Sequence, residues 1–318
     1  MRIGVLDVGS NTVHLLLVDA HWGAPPTPIR SERWTLKLAS LIGADGSLGE
    51  GGTTSVVTAV GLAAAQARDA GCSELLAFAT SAIRDATDSD AVLTAVRTAT
   101  DVDLQVLSGE DEARLTFLAV RRWFGWSAGN LLVLDIGGGS LEIAGGPDEQ
   151  PAVAASVPLG AGRMHREWFV PRSGVLPTSP PGATAVDELH RFAVARLATV
   201  APCIVAAGPF ERVVGTSKTF RTLARLAGAA PSEAGSLVPR SLSAAALRQV
   251  TAFIARMTPA DVGALEGVSE DRSEQLAAGA AVALAAMETV HADRIDICPW
   301  ALREGVILQR LDQIAFAE

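Results

Sequence analysis

Leu131-Leu132-Val133-Leu134-Asp135-Ile136-Gly137-Gly138-Gly139-Ser140 is an apolar run that meets an aspartate and then a glycine-rich turn. A short apolar run bounded by such a turn reads as a buried strand. The residues after Ser140 read as the return strand of a hairpin. A strand ending in glycines points several backbone N–H groups one way, and such a nest binds phosphate oxygens. Glycine keeps Cβ atoms out of the approach and makes positive φ available.

The pattern has a precedent earlier in the chain. Ile3-Gly4-Val5-Leu6-Asp7-Val8-Gly9-Ser10-Asn11 is again apolar strand, Asp, apolar residue, Gly and a small polar turn, and Val13 to Val18 supplies the return strand. Asp7 and Asp135 are 128 positions apart. Two such units at the starts of two halves point to a duplicated architecture. A chain of 318 residues exceeds the size at which one core stops growing, so two domains are expected. The polar, glycine-bearing break at Gly125 to Asn130 sets the boundary. The first domain spans 1–124, joined by the C-terminal helix at about 302–318, and the second spans 125–301.

Strands and helices alternate, which makes the class α/β. In the first half the reading places a strand from Trp34 to Ala39 and a helix from Thr53 to Ala70, closed by Gly71. A strand at Leu75 to Ala79, a helix at Ser89 to Thr98 and a strand at Leu104 to Leu107 follow. Ser108, three before Asp111, opens a capped helix that runs to Trp123. In the second half, Gly174 to Pro181 reads as a loop, Thr184 to Thr199 as a helix, and Cys203 to Ala207 and Arg212 to Val214 as strands. Gly215 to Thr219 is a turn into the helix Phe220 to Leu226. Ser243 to Met257 and Ser273 to Val290 are helices, Ile295 to Cys298 is a strand, and Leu302 to Ile314 is the last helix. The Ala-rich helices of the second half suit either the core or a homodimer face.

Composition narrows the function. The formal charge is −9, which argues against nucleic-acid binding, although a locally positive site is still compatible with an anionic substrate. Apolar runs are broken well before the roughly 18–20 residues of a membrane span. The N-terminal apolar run meets Asp7 at once and reads as a strand rather than a signal peptide. Cys72, Cys203 and Cys298 are far apart and suit thiols in a reducing cytoplasm. Five histidines form no zinc-type spacing. Lys37 and Lys218 are the only lysines, so phosphate recognition would lean on arginine forks.

Several residues are candidates for chemistry. Facing phosphates, Asp7 and Asp135 would repel them unless a cation intervened, and Mg²⁺ sites combine one or two carboxylates with phosphates and water. Ser10, Asn11 and Ser140 add polar groups to the turns. Glu142 shares a strand face with Ser140. Lys218 lies in a hydroxyl-rich turn at a helix start, where anions are favoured. Arg84 follows a short strand. Glu110, Asp111 and Glu112 crowd a helix N-terminus, where acids ordinarily offset the macrodipole, and a phosphatase needs one carboxylate to activate water. The spacing alone does not choose among the three. Each feature also has a plainer reading as a hairpin turn, an N-cap, a surface ion pair or an exposed edge residue.

Taken together, these segments resemble the exopolyphosphatase / guanosine pentaphosphate phosphohydrolase family. The resemblance rests on Asp7-Val8-Gly9-Ser10-Asn11-Thr12, Ala79 to Ala86, Leu107 to Arg114, Asp135 to Glu142, and Leu302-Arg303-Glu304-Gly305, in that order and spacing. The chain looks like the short two-domain form common in actinobacteria, without the appended helical domains of long members. The resemblance implies two ribonuclease-H-like domains around a cleft, the actin-like ATPase fold shared by acetate and sugar kinases, Hsp70 and actin. It implies Glu112 as the carboxylate that activates water. It implies Gly137, Gly138, Gly139, Ser140, Ser10, Asn11 and Arg84 as phosphate contacts, with Lys37 as a further one; Lys218 is a phosphate candidate from its own turn at a helix start. It implies Asp7, Asp135 and Glu142 around Mg²⁺, with Mn²⁺ as the alternative metal and a monovalent cation such as K⁺ as an activator. Polyphosphate is the expected substrate and guanosine pentaphosphate (pppGpp) the runner-up; a kinase of the same superfold and a non-catalytic phosphate sensor rank lower. The expected setting is a cytoplasmic homodimer. Asp111 and Lys218 depart from the common family pattern, where Glu and Gly are frequent.

Overall fold

The structure is a computed structural model that describes all residues except 37, 44, 172–178 and 316–318, and leaves aside the side chains of 39, 40 and 271. Lys37 and most of the expected Gly174 to Pro181 loop lie outside the described residues. The chain divides into two compact units, Met1–Leu115 with Leu302–Glu318, and Thr116–Ala301. The division falls within a helix, rather than at the Gly125 to Asn130 break.

In the first unit, β1 (Arg2–Val8) and β2 (Thr12–Asp19) form the expected hairpin, paired from Arg2↔Asp19 to Val8↔Val13. β3 (Pro28–Thr35) lines the outer edge of β2. It lies earlier than the expected Trp34 to Ala39, where helix α1 (Leu38–Leu41) stands instead. Most of β3 is exposed and polar, so its strand character comes from pairing with buried β2 rather than from its own apolar pattern. Pro28 is tolerated as its first residue.

Helix α2 (Gly49–Asp69) begins before the expected Thr53. The carboxylate of distant Asp88 accepts from the N–H groups of Leu48 and Gly49 at 2.8 and 2.9 Å, a cap that local sequence cannot signal. Then come β4 (Glu74–Ala79), α3 (Ser81–Arg84), α4 (Ser89–Thr100), β5 (Gln105–Val106) and α5 (Gly109–Phe124). The sheet order is β3-β2-β1-β4-β5, with β4 and β5 parallel to β1.

Strand alternation places the first unit's site. Leu6, Val8, Val13, Leu15 and Leu17 pack into one core together with α2 and α4. Ile3, Val5, Leu16 and Val18 face the other way, into a second core with Ile307 and Leu311. Asp7 continues the Ile3 and Val5 face, and His14 lies opposite it in the ladder. Both therefore lie on the side covered by the C-terminal helix.

The second unit contains β6 (Leu131–Ile136), β7 (Leu141–Gly146), β8 (Val153–Val157), α6 (Ala161–Trp168), α7 (Ala183–Leu197) and α8 (Ala201–Ala207). It continues through β9 (Arg212–Thr216), α9 (Ser217–Leu226), β10 (Ser241–Ser243), α10 (Ala244–Ile254), α11 (Pro259–Gly263), α12 (Glu270–Ser273), α13 (Leu276–Thr289) and β11 (Arg294–Ile297). Helix α14 (Leu302–Ala315) returns to the first unit. The second sheet runs β10-β11-β9-β6-β7-β8. Without β10, its order β8-β7-β6-β9-β11 repeats β3-β2-β1-β4-β5, so the duplication extends from two turns to two five-stranded, ribonuclease-H-like sheets.

One expectation changes here, and one open choice is decided. Cys203 to Ala207 is helical, not a strand: Pro202 starts helix α8, only Ile204 is buried, and Val205 points outward. Ala-rich α13 is almost wholly buried in the second unit's core, so it offers no dimer face. Among the described residues no single helix is long and apolar enough to cross a membrane; α7 and α8 pass that test only jointly and are bent by 60°.

Candidate active site

The two hairpin turns close in the same way. Gly9 N–H donates to Thr12 O at 3.0 Å, and Gly137 N–H donates to Ser140 O at 2.9 Å. A Cβ on Gly9 or Gly137 would stand 3.3 or 3.4 Å from those same carbonyl oxygens, and neither glycine uses the positive φ expected of it. What these two positions need is room, not a left-handed backbone.

In the second unit the turn's carbonyls are drawn back into the protein. Gly137 O accepts from Ala161 N–H, and Gly138 O accepts from Arg163 N–H, both at 2.9 Å. Gly139 O accepts from Arg163 Nε at 2.9 Å, and Ile136 O accepts from Thr219 Oγ1 at 3.0 Å. Gly138, Gly139 and Ser140 have no backbone N–H bond to a described backbone group, so these donors suit an anion. Gly160 makes the arrangement possible, because a Cβ there would stand 2.3 Å from the Gly139 carbonyl carbon. Neither Gly160 nor Arg163 stood out as functional in the sequence; the segment Leu159 to Arg163 merely repeats the glycine-rich style of the turn.

Asp135 pairs directly across the hairpin with Glu142, so both carboxylates share one sheet face. The Oε1 of Glu142 accepts from Ser156 Oγ at 2.8 Å. Two neighbouring carboxylates beside a phosphate nest fit a hard dication that takes its remaining ligands from phosphate and water. Among the described residues no group of three His, Cys, Asp or Glu side chains forms a ready-made metal cluster. Lys218 stands in the first turn of α9 and lines a small recess with Ala161, Arg272 and Gln275. Before it, Ser217 has φ 75° and a buried Oγ without a hydrogen-bond partner.

The first unit's turn is built differently. Where the second turn has Glu142, the first has His14, opposite Asp7. Arg33 Nε and Arg303 donate to His14 Nε2 at 3.4 and 3.2 Å, and Ser31 Oγ lies 2.6 Å from it. Arg303 also stands 4.0 Å from the Asp7 carboxylate. Burial pushes the Asp7 carboxyl up to about 6, with Arg303 pulling it down and Glu304 pushing it further up. Asp7 thus has the chain's own arginine as its neighbouring cation. Gly305 lets this end of α14 reach α5, since a Cβ there would fall 1.9 Å from the Leu115 carbonyl oxygen. The sequence marked Arg303 to Gly305 by resemblance only, and their contacts supply the physical reason.

The same unit joins Ser10, Asn11, Arg84 and Glu112 to the strand tips. Ser10 Oγ lies 3.2 Å from Ser81 Oγ at the start of α3. Asn11 is buried, and its Nδ2 donor has no partner, which suits an external acceptor such as a phosphate oxygen. Glu112 is buried in the first turn of α5. Arg84 hydrogen-bonds to its Oε1, to Leu107 O at 3.0 Å and to Asp85 at 3.2 Å. Of the three acids at this helix start, Glu112 alone is buried; Ser108 Oγ accepts from Asp111 N–H at 3.1 Å and bonds its carboxylate at 2.6 Å, and Glu110 pairs with Arg114.

The Ppx/GppA phosphatase family matches residues 17–314. The chain belongs to that family. "Exopolyphosphatase 1" of Mycobacterium tuberculosis is 55% identical to it over 315 residues, covering 99% of this chain and 90% of that protein. The protein of that name from Mycobacterium leprae is 53% identical, covering 99% and 91%. Among solved structures, an exopolyphosphatase from Cytophaga hutchinsonii superposes with a TM-score of 0.86 at 22% identity, covering 98% of both chains. The Aquifex aeolicus Ppx/GppA family member gives 0.79 at 21% identity, covering 99% and 98%. At that identity the structural likeness speaks for the fold alone. The family assignment agrees with the phosphate-suited turns in both units.

Proposed function

We propose that this member of the family is an exopolyphosphatase, removing the terminal phosphate of inorganic polyphosphate, with a preference for short chains. The observation that carries the reading is Glu112, a buried carboxylate held by Arg84 at the start of α5. A carboxylate so fixed is suited to orient and deprotonate water for in-line attack on phosphorus. The name of the Mycobacterium relatives supports polyphosphate as substrate. Ser10, Asn11 and Arg84 in one unit, and the turn Gly137 to Ser140 with Lys218 in the other, are assigned to phosphate oxygens. Asp135 and Glu142 would hold Mg²⁺, or Mn²⁺ in its place, and such an ion neutralises charge building on the transferred phosphoryl group. Asp7 is assigned to the metal as well, with Arg303 standing 4.0 Å from its carboxylate. A homodimer in the cytoplasm completes the reading, with light scattering as the check on the dimer.

The test measures phosphate release, with Mg²⁺, from short polyphosphate, long polyphosphate and pppGpp side by side. Release from polyphosphate, fastest on short chains, is expected. Release from pppGpp alone would replace the substrate assignment.

A further inference from the structure

The second unit holds a pocket of about 230 Å³ that none of the phosphate chemistry uses. Its walls are apolar: Trp168 and Phe169 at the end of α6, Pro180 and Pro181, and Met257 after α10. Into this lining comes His165, which is 7% exposed, with neither ring nitrogen hydrogen-bonded. A buried polar group without partners is costly and uncommon in folded proteins. Histidine is a poor choice for lining a purely apolar void, where Leu or Met would pack as well at no such cost.

The ring is also suited to a particular kind of partner. Burial pushes the imidazole's pKa down, so near neutral pH it presents one N–H donor and one bare nitrogen acceptor. Ser273 and Glu274 add polar groups to the lining. Glu274 and Arg166 act on the ring with opposite signs, so the surroundings do not single out an anion. The volume is below the usual 300–1,000 Å³ of ligand sites and suits a single planar ring system. Flat aromatic and proline walls, with a donor and an acceptor on one side chain, together describe a heteroaromatic base.

We propose that this pocket binds the base of a nucleoside, with His165 hydrogen-bonding its edge and the Trp168 and Phe169 side packing on its ring. The pocket shares α6 with the phosphate turn, because Ala161 and Arg163, which hold Gly137 and Gly138, lie four and two residues before His165.

Adenosine, guanosine and uridine are the probes, with indole as the control, followed by ligand-observed NMR and calorimetry on the full chain. Nucleosides carry no phosphate, so the result is independent of the hydrolytic reading. The expected result is saturable binding of at least one nucleoside with a dissociation constant on the order of 0.1–1 mM, as a ring-sized ligand allows. His165→Leu should weaken it at least tenfold while raising the midpoint of thermal unfolding, since an unpaired polar group is removed. Ala185→Phe, which fills the pocket from its rim and leaves His165 in place, should do the same to binding and guards against a misfolded first variant. Glu112→Gln should leave it unchanged. Absence of any nucleoside binding to wild type at 5 mM, binding of indole alone, or unchanged affinity in His165→Leu would each overturn the proposal.

Discussion

Asp7 illustrates how one side chain can weigh on stability and still be kept. Its folded-state pKa, raised to about 6 by desolvation, lies above the ordinary carboxylate value of 3.8. A group with a raised folded pKa contributes stability that is present below the unfolded value, and that stability is lost as pH rises through the folded value. The window is therefore about pH 4 to 6. A rise from 3.8 to about 6 would correspond to about 3 kcal/mol. The side chain is still 23% exposed and stands near Arg303, so about 1–2 kcal/mol is a better expectation. Asp7→Asn should unfold at higher urea than wild type at pH 7.5 and match it at pH 4. A difference of equal size at both pH values would show that charge desolvation is not the cause. If activity falls while stability rises, the aspartate is kept for its role at the site. Arg84 gives a second case at this scale. It bonds Glu112, Leu107 O and Asp85 through a planar fork that lysine cannot reproduce. Arg84→Lys should lower kcat tenfold or more with little loss of thermal stability; near-wild-type turnover would separate Arg84 from the chemistry.

Among the elements, what the sequence made legible was what local pattern alone enforces. The two apolar strands ending in Asp and Gly were readable because burial demands the apolar run and the turn demands a small residue. The helix α5 was readable through Ser108 and Asp111. What stayed hidden was set by context: β3 by pairing with β2, the start of α2 by Asp88, and α8 by Pro202 at its start and the outward-facing Val205. Site residues followed the same division. Glu112 and Arg84 were marked singly, but their contact, and those of Arg303 with Asp7 and His14, depend on packing across the unit. Two element junctions carry predictions. Gly305→Ala should cost about 3 kcal/mol or more, because the clashing atom is the Leu115 backbone oxygen and has no side-chain rotamer to escape into. An unfolding midpoint near wild type would contradict the close α14–α5 approach. At the β9–α9 junction, Ser217 holds a left-handed φ of 75°. Ser217→Gly should therefore stabilise the protein by about 1 kcal/mol, measured by urea unfolding. If it loses activity in the same step, the buried hydroxyl is kept for function.

Across the whole molecule, one five-stranded plan appears twice with its turns specialised in opposite directions. The position opposite the turn aspartate is His14 in the first unit, ringed by Arg33 and Arg303, and Glu142 in the second, hydrogen-bonded by Ser156. The first unit thus offers cationic neighbours and the buried carboxylate Glu112, while the second offers a dicarboxylate suited to a metal. If the proposed reaction draws on both, the two halves should fail in distinguishable ways. Glu112→Gln removes the group that takes the proton from water, so kcat should fall about 10²–10⁴-fold with the Mg²⁺ concentration for half-maximal activity unchanged. Glu142→Gln removes one of two carboxylates from the metal side, so that concentration should rise and part of the activity should return at high Mg²⁺. The double variant should be little worse than Glu112→Gln, because groups that serve one transition state are not additive. An unchanged Mg²⁺ requirement in Glu142→Gln would move the metal away from the Asp135–Glu142 pair. A full multiplicative loss in the double variant would mean that the two residues act in separate steps.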